Sequence, residues 1–277
     1  MILRSPLLNV MTAAAQKAAK GLIRDFGELE QLQVSKKGPA DFVSKADHRA
    51  EGVLRTELHK ARPTYGMLME ESGSYAGTDT SNRWIVDPLD GTTNFLHGIP
   101  HFSISIALER DGEPFAGVVY SPIVDEMFVA ERGSGAFLNG RRLRVSGRRR
   151  LDESVFATGI PFKGQPDHAL FLSQLRAVME VVAGVRRYGS AALDLAYVAA
   201  GRFDGYWENG LNPWDIAAGI VLIREAGGFV TDLAGGRRMM SGGGILAGNA
   251  DLHPQLATLV SAGGTGARGI DATAASL

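Results

Sequence analysis

The chain of 277 residues contains no cysteine. This absence excludes disulfide bonds, metal sites built from thiolates and cysteine nucleophiles, and it favours a protein of the reducing cytoplasm. The sequence also lacks any apolar run near the ~18 residues that a membrane span requires, so we expect no membrane partner. The apolar N-terminus is interrupted by Gln16 and Lys17, a pattern that is typical of a helix and not of a secretory signal.

The chain also has no large excess of positive or of negative charge. The chain has 29 Lys and Arg against 30 Asp and Glu, a formal net charge of −1, so no global field attracts nucleic acid or anionic lipid. No Walker-type phosphate loop occurs, and the glycine pattern at Gly264–Gly269 lacks the strand that a dinucleotide site needs before it. His97 and His101 have no third nitrogen ligand nearby, and we interpret them as structural.

The sequence does contain an acidic turn at Trp84–Asn94. Its apolar start predicts a buried strand that stops at Asp87, because Pro88 cannot continue the hydrogen-bond ladder. Asp90 provides a second carboxylate, Gly91 lets the backbone approach a ligand, and the threonines that follow are helix-capping residues. From these residues alone, three interpretations stay open: a metal–phosphate site, a solvated turn or a plain helix cap.

Other carboxylates also stand at the predicted ends of strands and helices. The apolar run Tyr65–Met69 predicts a strand that ends at Glu70, and Asp215 lies at the start of a predicted helix. Open α/β sheets place their ligands at such strand ends. Asp47 follows Ser44 with the spacing of a capping box, so a structural role stays open for Asp47.

The composition of this acidic set predicts its chemistry. Carboxylates without cysteine or a histidine cluster select a hard divalent cation, Mg²⁺ before Ca²⁺. Crowded acids repel unless cations neutralise them, and two ions about 3.5–4 Å apart can hold both oxygens of an in-line phosphoryl displacement. The amides of Gly91 and Thr92 can meet a phosphate, and Thr92 can position a water whose proton Asp47 accepts. These residues favour Mg²⁺-dependent phosphate-ester chemistry and identify no substrate.

Turn and cap signals predict the elements around these acids. Ser5-Pro6 predicts the start of a helix that we expect to end at Gly27. A second amphipathic helix is predicted after Asp47, and Ser74–Asn82 is predicted to be a polar loop. Asn139-Gly140 is a strong hairpin signal and predicts an antiparallel meander in the middle of the chain.

The order of these elements predicts two domains. We expect an N-terminal α+β domain over residues 1–147, which carries most of the acids. A C-terminal α/β domain over 148–262 alternates strand and helix and carries the last acid. The small, polar tail at 263–277 has few anchors and is predicted to be disordered.

Four segments together resemble the inositol monophosphatase family, and most closely its bacterial SuhB-like branch. They are Glu70–Ser72, Trp84–Asn94, Gly189–Asp194 and Trp214–Gly219, and the resemblance extends from about Leu7 to Val260. It implies a mixed α/β fold, a layered αβαβα sandwich of the inositol monophosphatase and fructose-1,6-bisphosphatase type. It also implies a homodimer.

The resemblance further implies a role for each site residue, with two or three Mg²⁺ ions per subunit. The implied metal ligands are Glu70, Asp87, the carbonyl of Leu89, Asp90 and Asp215. The implied catalytic residues are Glu70, Thr92 and Asp47, and the amides of Gly91 and Thr92 would bind phosphate. The implied substrate pocket consists of Asp90, Gly189, Ser190, Ala191, Glu208 and Asp215. Lys36 stands where the family keeps a basic residue near the metals. Met69 replaces the usual glycine, a departure that is expected to shift the strand exit and weaken a third ion.

The implied activity is the hydrolysis of myo-inositol 1-phosphate or a related polyol monophosphate by metal-activated water, with inhibition by Li⁺. Two alternatives stay open. One is a phosphatase of the same fold for histidinol phosphate or adenosine 3′,5′-bisphosphate. The other is a SuhB-like regulatory protein that contacts RNA polymerase and antitermination factors, and the near-zero net charge argues against direct nucleic-acid binding by such a protein.

Overall fold

The computed structural model describes residues 5–32, 39–161 and 168–274, with the backbone alone at 30–32, 39–44 and 264–274. The helices are α1 (Pro6–Leu32), α2 (Pro39–Ala61), α3 (Thr92–Leu96), α4 (His168–Met179), α5 (Ala191–Ala199), α6 (Pro213–Glu225), α7 (Met239–Gly242) and α8 (Leu252–Ala274). The strands are β1 (Tyr65–Met69), β2 (Gly73–Tyr75), β3 (Asp79–Asp90), β4 (Ser103–Arg110), β5 (Glu113–Ser121), β6 (Glu126–Glu131), β7 (Gly135–Leu138), β8 (Arg141–Arg142), β9 (Val155–Thr158), β10 (Gly184–Arg186), β11 (Gly205–Glu208), β12 (Phe229–Thr231) and β13 (Ile245–Gly248). Lys36 lies outside the described residues.

The first sheet contains the predicted meander. Its strand order is β2-β1-β3-β4-β5-β6-β7-β8, and β1 and β3 are its parallel pair. The hairpin between β7 and β8 turns at Asn139 and Gly140, whose φ angles of 47° and 83° are those of a type I′ turn. The hairpin prediction is therefore confirmed.

The second sheet has the order β10-β9-β11-β13-β12. Strands β10, β9 and β11 are parallel, and β13 and β12 are antiparallel to their neighbours. Because parallel strands need crossover connections, α4 and α5 stand between them in the chain.

Helices and sheets alternate in five layers. Helices α1 and α2 pack on one face of the first sheet, α5 and α6 contact strands of both sheets, and α4 and α8 pack together on the outer side of the second sheet. Successive side chains of a strand face opposite layers, so Trp84 belongs to the core under α1 and α2 while Ile85 belongs to the central core. The predicted αβαβα sandwich is confirmed.

The domain division stays a prediction. The first sheet ends at Arg142 and the second begins at Val155, on either side of the expected boundary at 147/148. The central core, however, takes residues from both sheets, for example Val119 from β5 and Tyr206 from β11.

Two helix ends differ from their predictions. Helix α1 begins as predicted, since the amide of Leu8 donates to Ser5 Oγ at 3.1 Å. The helix then passes through Gly27 to Leu32, because Leu29 is buried in the core and holds the extra turn. Helix α2 starts at Pro39, so Asp47 lies inside a helix and the capping box at Ser44–Asp47 is wrong.

Two segments without a strong pattern also carry regular structure. Strand β2 and the start of β3 lie in the predicted loop Ser74–Asn82, where β2 pairs with β1 at the edge of the sheet. The backbone of α8 continues to Ala274, through most of the segment predicted to be disordered. Across the described ranges, no helix has the length and apolarity needed to traverse a bilayer.

Candidate active site

The parallel pairing of β1 with β3 brings two acids to one edge of the first sheet. Met69 pairs with Val86, so Glu70 and Asp87 leave the sheet side by side, and the amide of Glu70 donates to the carbonyl of Val86 at 3.2 Å. Met69 is fully buried and also pairs with Gly73. The expected shift of the strand exit by this side chain, and its effect on a third ion, stay predictions.

Strand β3 does not stop at Pro88 but continues to Asp90 through a bulge. Asp87 pairs with Ser105 and Asp90 with Ser103, so one extra residue is accommodated between them. The amide of Leu89 donates to Asp87 Oδ1 at 2.9 Å and fixes the bulge. Its effect is to direct both aspartates to the same end of the strand.

Gly91 turns the chain from the bulge into α3. Its φ of 94° is left-handed, and a Cβ there would lie 3.1 Å from the carbonyl oxygen of His101 and 3.3 Å from that of Gly189. The hydroxyl of Thr92 donates to the carbonyl of Leu89 at 3.0 Å. Among the described contacts, Thr92 thus binds Leu89 and not Asp47.

The carboxylate of Asp90, at the end of β3, contacts the N-terminus of α5, where the predicted pocket residues Gly189, Ser190 and Ala191 lie. Its Oδ2 accepts hydrogen bonds from Ser190 Oγ at 2.5 Å and from the amide of Ala192 at 2.9 Å, and the amide of Ala191 also contacts it. Gly189 has a left-handed φ of 82° directly before this helix. Burial raises the pKa of Asp90 to about 6, although these hydrogen bonds oppose the shift.

A second group of acids gathers where α2 faces the exit of β1. Carboxylate oxygens of Asp47, Glu70 and Glu71 all lie within 4.8 Å of one another. Asp47 Oδ1 and Glu70 Oε2 are buried and have no hydrogen-bond partner among the described residues. Burial, followed by the charges of Glu70 and Glu71, raises the pKa of Asp47 to about 9. Unpartnered, mutually repelling oxygens of this kind fit a hard cation.

Asp87 connects this group with the acids across the site. Its pKa is raised well above the ordinary range by burial and by the charges of Glu70, Asp90 and Asp215. Asp87 and Glu70 lie close enough for each carboxyl to influence the pKa of the other. The structure therefore places Asp87 between the two groups of acids.

Asp215 approaches from the second half of the chain. It lies in the first turn of α6, where its Oδ2 accepts a hydrogen bond from the amide of Asn212 at 2.6 Å. Burial raises its pKa to about 8, and the charge of Asp90 adds to the shift. The loop before α6 thus delivers this carboxylate to the acids of the first sheet.

Glu208 ends β11 and faces the same region. The hydroxyl of Tyr206 donates to its carboxylate, and burial raises its pKa to about 7. A Cβ on Gly159 would lie 1.8 Å from Glu208 Oε1, so the carboxylate rests directly on that glycine. Glu208 and Asp215 also line a cavity of about 400 Å³.

Sequence reasoning missed several residues around these acids. The sequence assigns no role to Glu71, yet its carboxylate lies with those of Asp47 and Glu70, although the residue is exposed. Tyr206 stands two residues before Glu208 on the same face of the strand, which is the one sequence signal for their contact. Asp194 is buried with Oδ1 unpartnered among the described residues, and no pattern in the sequence marks it.

Comparison with known proteins agrees with this geometry. The sequence profile of the inositol monophosphatase family matches residues 3–264. An inositol-1-monophosphatase of Mesorhizobium japonicum is 62% identical over 246 residues, which are 89% of this chain and 92% of that protein. The Nus factor SuhB of Escherichia coli is 47% identical over 244 residues, 88% of this chain and 91% of its own length. The crystal structure of the extragenic suppressor protein suhB from Bartonella henselae superimposes with a TM-score of 0.86 at 58% identity, covering 92% of this chain and 98% of that one.

Proposed function

Since this chain belongs to the inositol monophosphatase family, and is thus an enzyme of a phosphatase family, we propose that it hydrolyses myo-inositol 1-phosphate or a related polyol monophosphate with Mg²⁺. The observation that carries the proposal is the convergence of acids from both halves of the chain. Glu70 and Asp87 come from paired strand exits, and Asp215 comes from the start of α6. The cytoplasmic location and the inhibition by Li⁺ stay expectations of this proposal.

The donor set fits two or three Mg²⁺ ions, because every group in it is an oxygen ligand. The residues that would hold them are Glu70, Asp87, the carbonyl of Leu89, Asp90 and Asp215. When bound, Mg²⁺ would neutralise the substrate's phosphate and acidify a water. The buried oxygen Glu70 Oε2, which has no hydrogen-bond partner among the described residues, supports this assignment.

The water would be oriented by Thr92 and deprotonated by Asp47. The hydroxyl of Thr92 donates a hydrogen bond to the carbonyl of Leu89, so the lone pairs of the hydroxyl oxygen are free to accept a hydrogen bond from a water. Asp47 Oδ1 has no partner among the described residues and is the acceptor for the water's proton.

Substrate would be held at the junction of α3, α5 and β11. The amides of Gly91 and Thr92 would bind its phosphate, while Glu208 would accept hydrogen bonds from its hydroxyls. The remaining pocket residues of the proposal are Asp90, Gly189, Ser190, Ala191 and Asp215. Asp90 has one oxygen occupied by the start of α5, which leaves Oδ1 for a metal or substrate.

Phosphate release tests this function. The purified chain is assayed with Mg²⁺ on inositol 1-phosphate, histidinol phosphate and adenosine 3′,5′-bisphosphate, and Asp90→Asn is compared with the wild type. We expect inositol 1-phosphate to have the highest kcat/KM of the three, and the variant to lose at least about 100-fold, since a charged ligand of the Mg²⁺ ions is removed. Hydrolysis of none of the three by a folded wild type contradicts the proposal.

A regulatory role is the second candidate, and the 47% identity to a Nus factor favours it. A homodimer is part of the enzymatic proposal, and dimerisation would compete with polymerase binding. Light scattering during gel filtration measures the oligomeric state, and pull-down of purified RNA polymerase tests the contact. Polymerase binding without any phosphatase activity would favour the regulatory role over the enzymatic one.

A further inference from the structure

One buried carboxylate beside the proposed metal site has no part in the mechanism above. Glu51 lies one helical turn after Asp47 on α2 and is 4% exposed. Its Oε2 accepts the amide of Glu71 at 2.9 Å and the amide of Ser72 at 3.4 Å. These two amides belong to the turn that carries Glu70 out of the sheet.

Glu51 is buried next to other acidic residues, an arrangement that lowers the stability of the fold. Asp47 and Glu70 are near enough for its charge to raise the pKa of each. No ion pair with Glu51 is present among the described residues. A buried carboxylate beside other acids destabilises a fold unless it is compensated. The hydrogen bonds that Glu51 accepts from the amides of Glu71 and Ser72 provide this compensation.

The same helix holds the turn at a second point. His48 Nε2 lies 3.4 Å from Glu71 Oε2. Helix α2 therefore contacts the backbone amide of Glu71 through Glu51 and the side chain of Glu71 through His48. The separation between Asp47 on α2 and Glu70 on the turn therefore depends on these tethers. A metal site requires its ligand Glu70 to be held closely, because the partners of a ligand set its orientation.

We propose that Glu51 is a positioning residue for the metal site: by accepting the amides of Glu71 and Ser72, it holds the Glu70 turn against α2 and keeps the Glu70 carboxylate in place to bind Mg²⁺. This inference rests on the proposed Mg²⁺-dependent function. Glu51 itself touches neither metal nor substrate, and its effect passes through Glu70 and Glu71.

Two near-isosteric variants separate positioning from charge. Glu51→Gln keeps the length of the side chain and an acceptor oxygen but loses the charge. Glu51→Asp keeps the charge but is shorter by one methylene and loses its reach to the amides. Positioning predicts weaker Mg²⁺ binding for Glu51→Asp than for Glu51→Gln, and a purely electrostatic role predicts the opposite order.

Calorimetric titration of the metal-free protein with Mg²⁺ measures the dissociation constants, and thermal unfolding is recorded in parallel. We expect Glu51→Asp to weaken Mg²⁺ binding by about 10- to 100-fold, the usual effect of losing a residue that orients ligands, and Glu51→Gln by less than about threefold. Glu57→Gln is the matched control, because Glu57 lies on α2, bonds Lys17 at the surface and should leave binding unchanged.

The possible outcomes are distinct. Equal affinities for wild type and Glu51→Asp overturn the inference, as does a greater loss for Glu51→Gln than for Glu51→Asp. A fall in melting temperature without a change in Mg²⁺ affinity assigns Glu51 a structural role only and also overturns it. If the wild type binds no Mg²⁺ and releases no phosphate, the proposed function itself fails.

Discussion

At the scale of single residues, Gly159 determines where the carboxylate of Glu208 can lie. Gly159→Ala would place a methyl group 1.8 Å from Glu208 Oε1, and the flexible carboxylate has to move away from it. We expect KM for a polyol phosphate to rise about tenfold, because the displaced Glu208 carboxylate no longer accepts hydrogen bonds from the substrate's hydroxyls. We expect kcat and Mg²⁺ affinity to stay within about twofold of the wild type. Steady-state kinetics and Mg²⁺ titration measure these values.

The control for this variant is Gly147→Ala. A Cβ on Gly147 meets no atom within 4 Å, so the substitution adds the same methyl group without displacing a neighbour. An unchanged KM in Gly159→Ala would mean that Glu208 does not contact the substrate.

Individual acids differed in how well the sequence identified them. Glu70 and Asp87 could be predicted, because each directly follows an apolar strand and the strands pair in parallel. Glu71 could not, because it is exposed and joins Asp47 and Glu70 only through the way α2 faces the exit of β1. For Asp47, the capping pattern at Ser44 predicted a helix start that is too late, since α2 begins at Pro39 and contains Asp47.

At the scale of elements, α6 packs unusually close to β5. A Cβ on Gly117 would lie 2.6 Å from the carbonyl oxygen of Ala218 and 2.8 Å from its Cα, so glycine permits the backbone contact that brings Asp215 over the first sheet. We expect Gly117→Ala to lower the free energy of unfolding by about 1–3 kcal/mol, the usual cost of overpacking against a rigid neighbour. Urea unfolding measures the change.

A glycine in a roomy helix provides the opposite control. Gly52 lies inside α2, and a Cβ there meets nothing within 4 Å. Gly52→Ala should therefore raise the free energy of unfolding by about 0.5–1 kcal/mol, because alanine favours the helix more strongly. Equal effects of the two substitutions would contradict the close contact of α6 with β5.

Elements were predicted well where a periodic apolar pattern was present and poorly where it was not. Strand β2 lies at the exposed edge of the sheet, and the start of β3 is polar and partly exposed, so the pairing of both with β1 leaves no hydrophobic signal. The extension of α1 beyond Gly27 depends on the burial of Leu29 in a core that only the folded chain assembles.

At the scale of the whole molecule, the converging acids make stability depend on pH and Mg²⁺. The pKa values of Asp47 and Asp215 are raised to about 9 and about 8, whereas such carboxyls titrate near ~4 in an unfolded chain. Protons therefore bind the folded state more tightly, and the stability they contribute is complete below pH ~4 and is lost as the pH rises through 8 to 9. Acids with lowered pKa values, such as Asp232, change stability only on the acidic side of this range.

This linkage predicts that the melting temperature of the metal-free protein falls between about pH 5 and pH 9. Mg²⁺ binds the ionised carboxylates of the folded state, so its stabilising effect should grow over the same interval and flatten the profile. Calorimetric scans with EDTA, with Mg²⁺ and with K⁺ at matched ionic strength measure the melting temperature across this pH range. Asp215→Asn should make the melting temperature of the metal-free protein less dependent on pH, because one carboxyl with a raised pKa is removed. A Mg²⁺ effect equal at both ends of the range would contradict it, since proton release from the buried acids is what makes the two ligands compete.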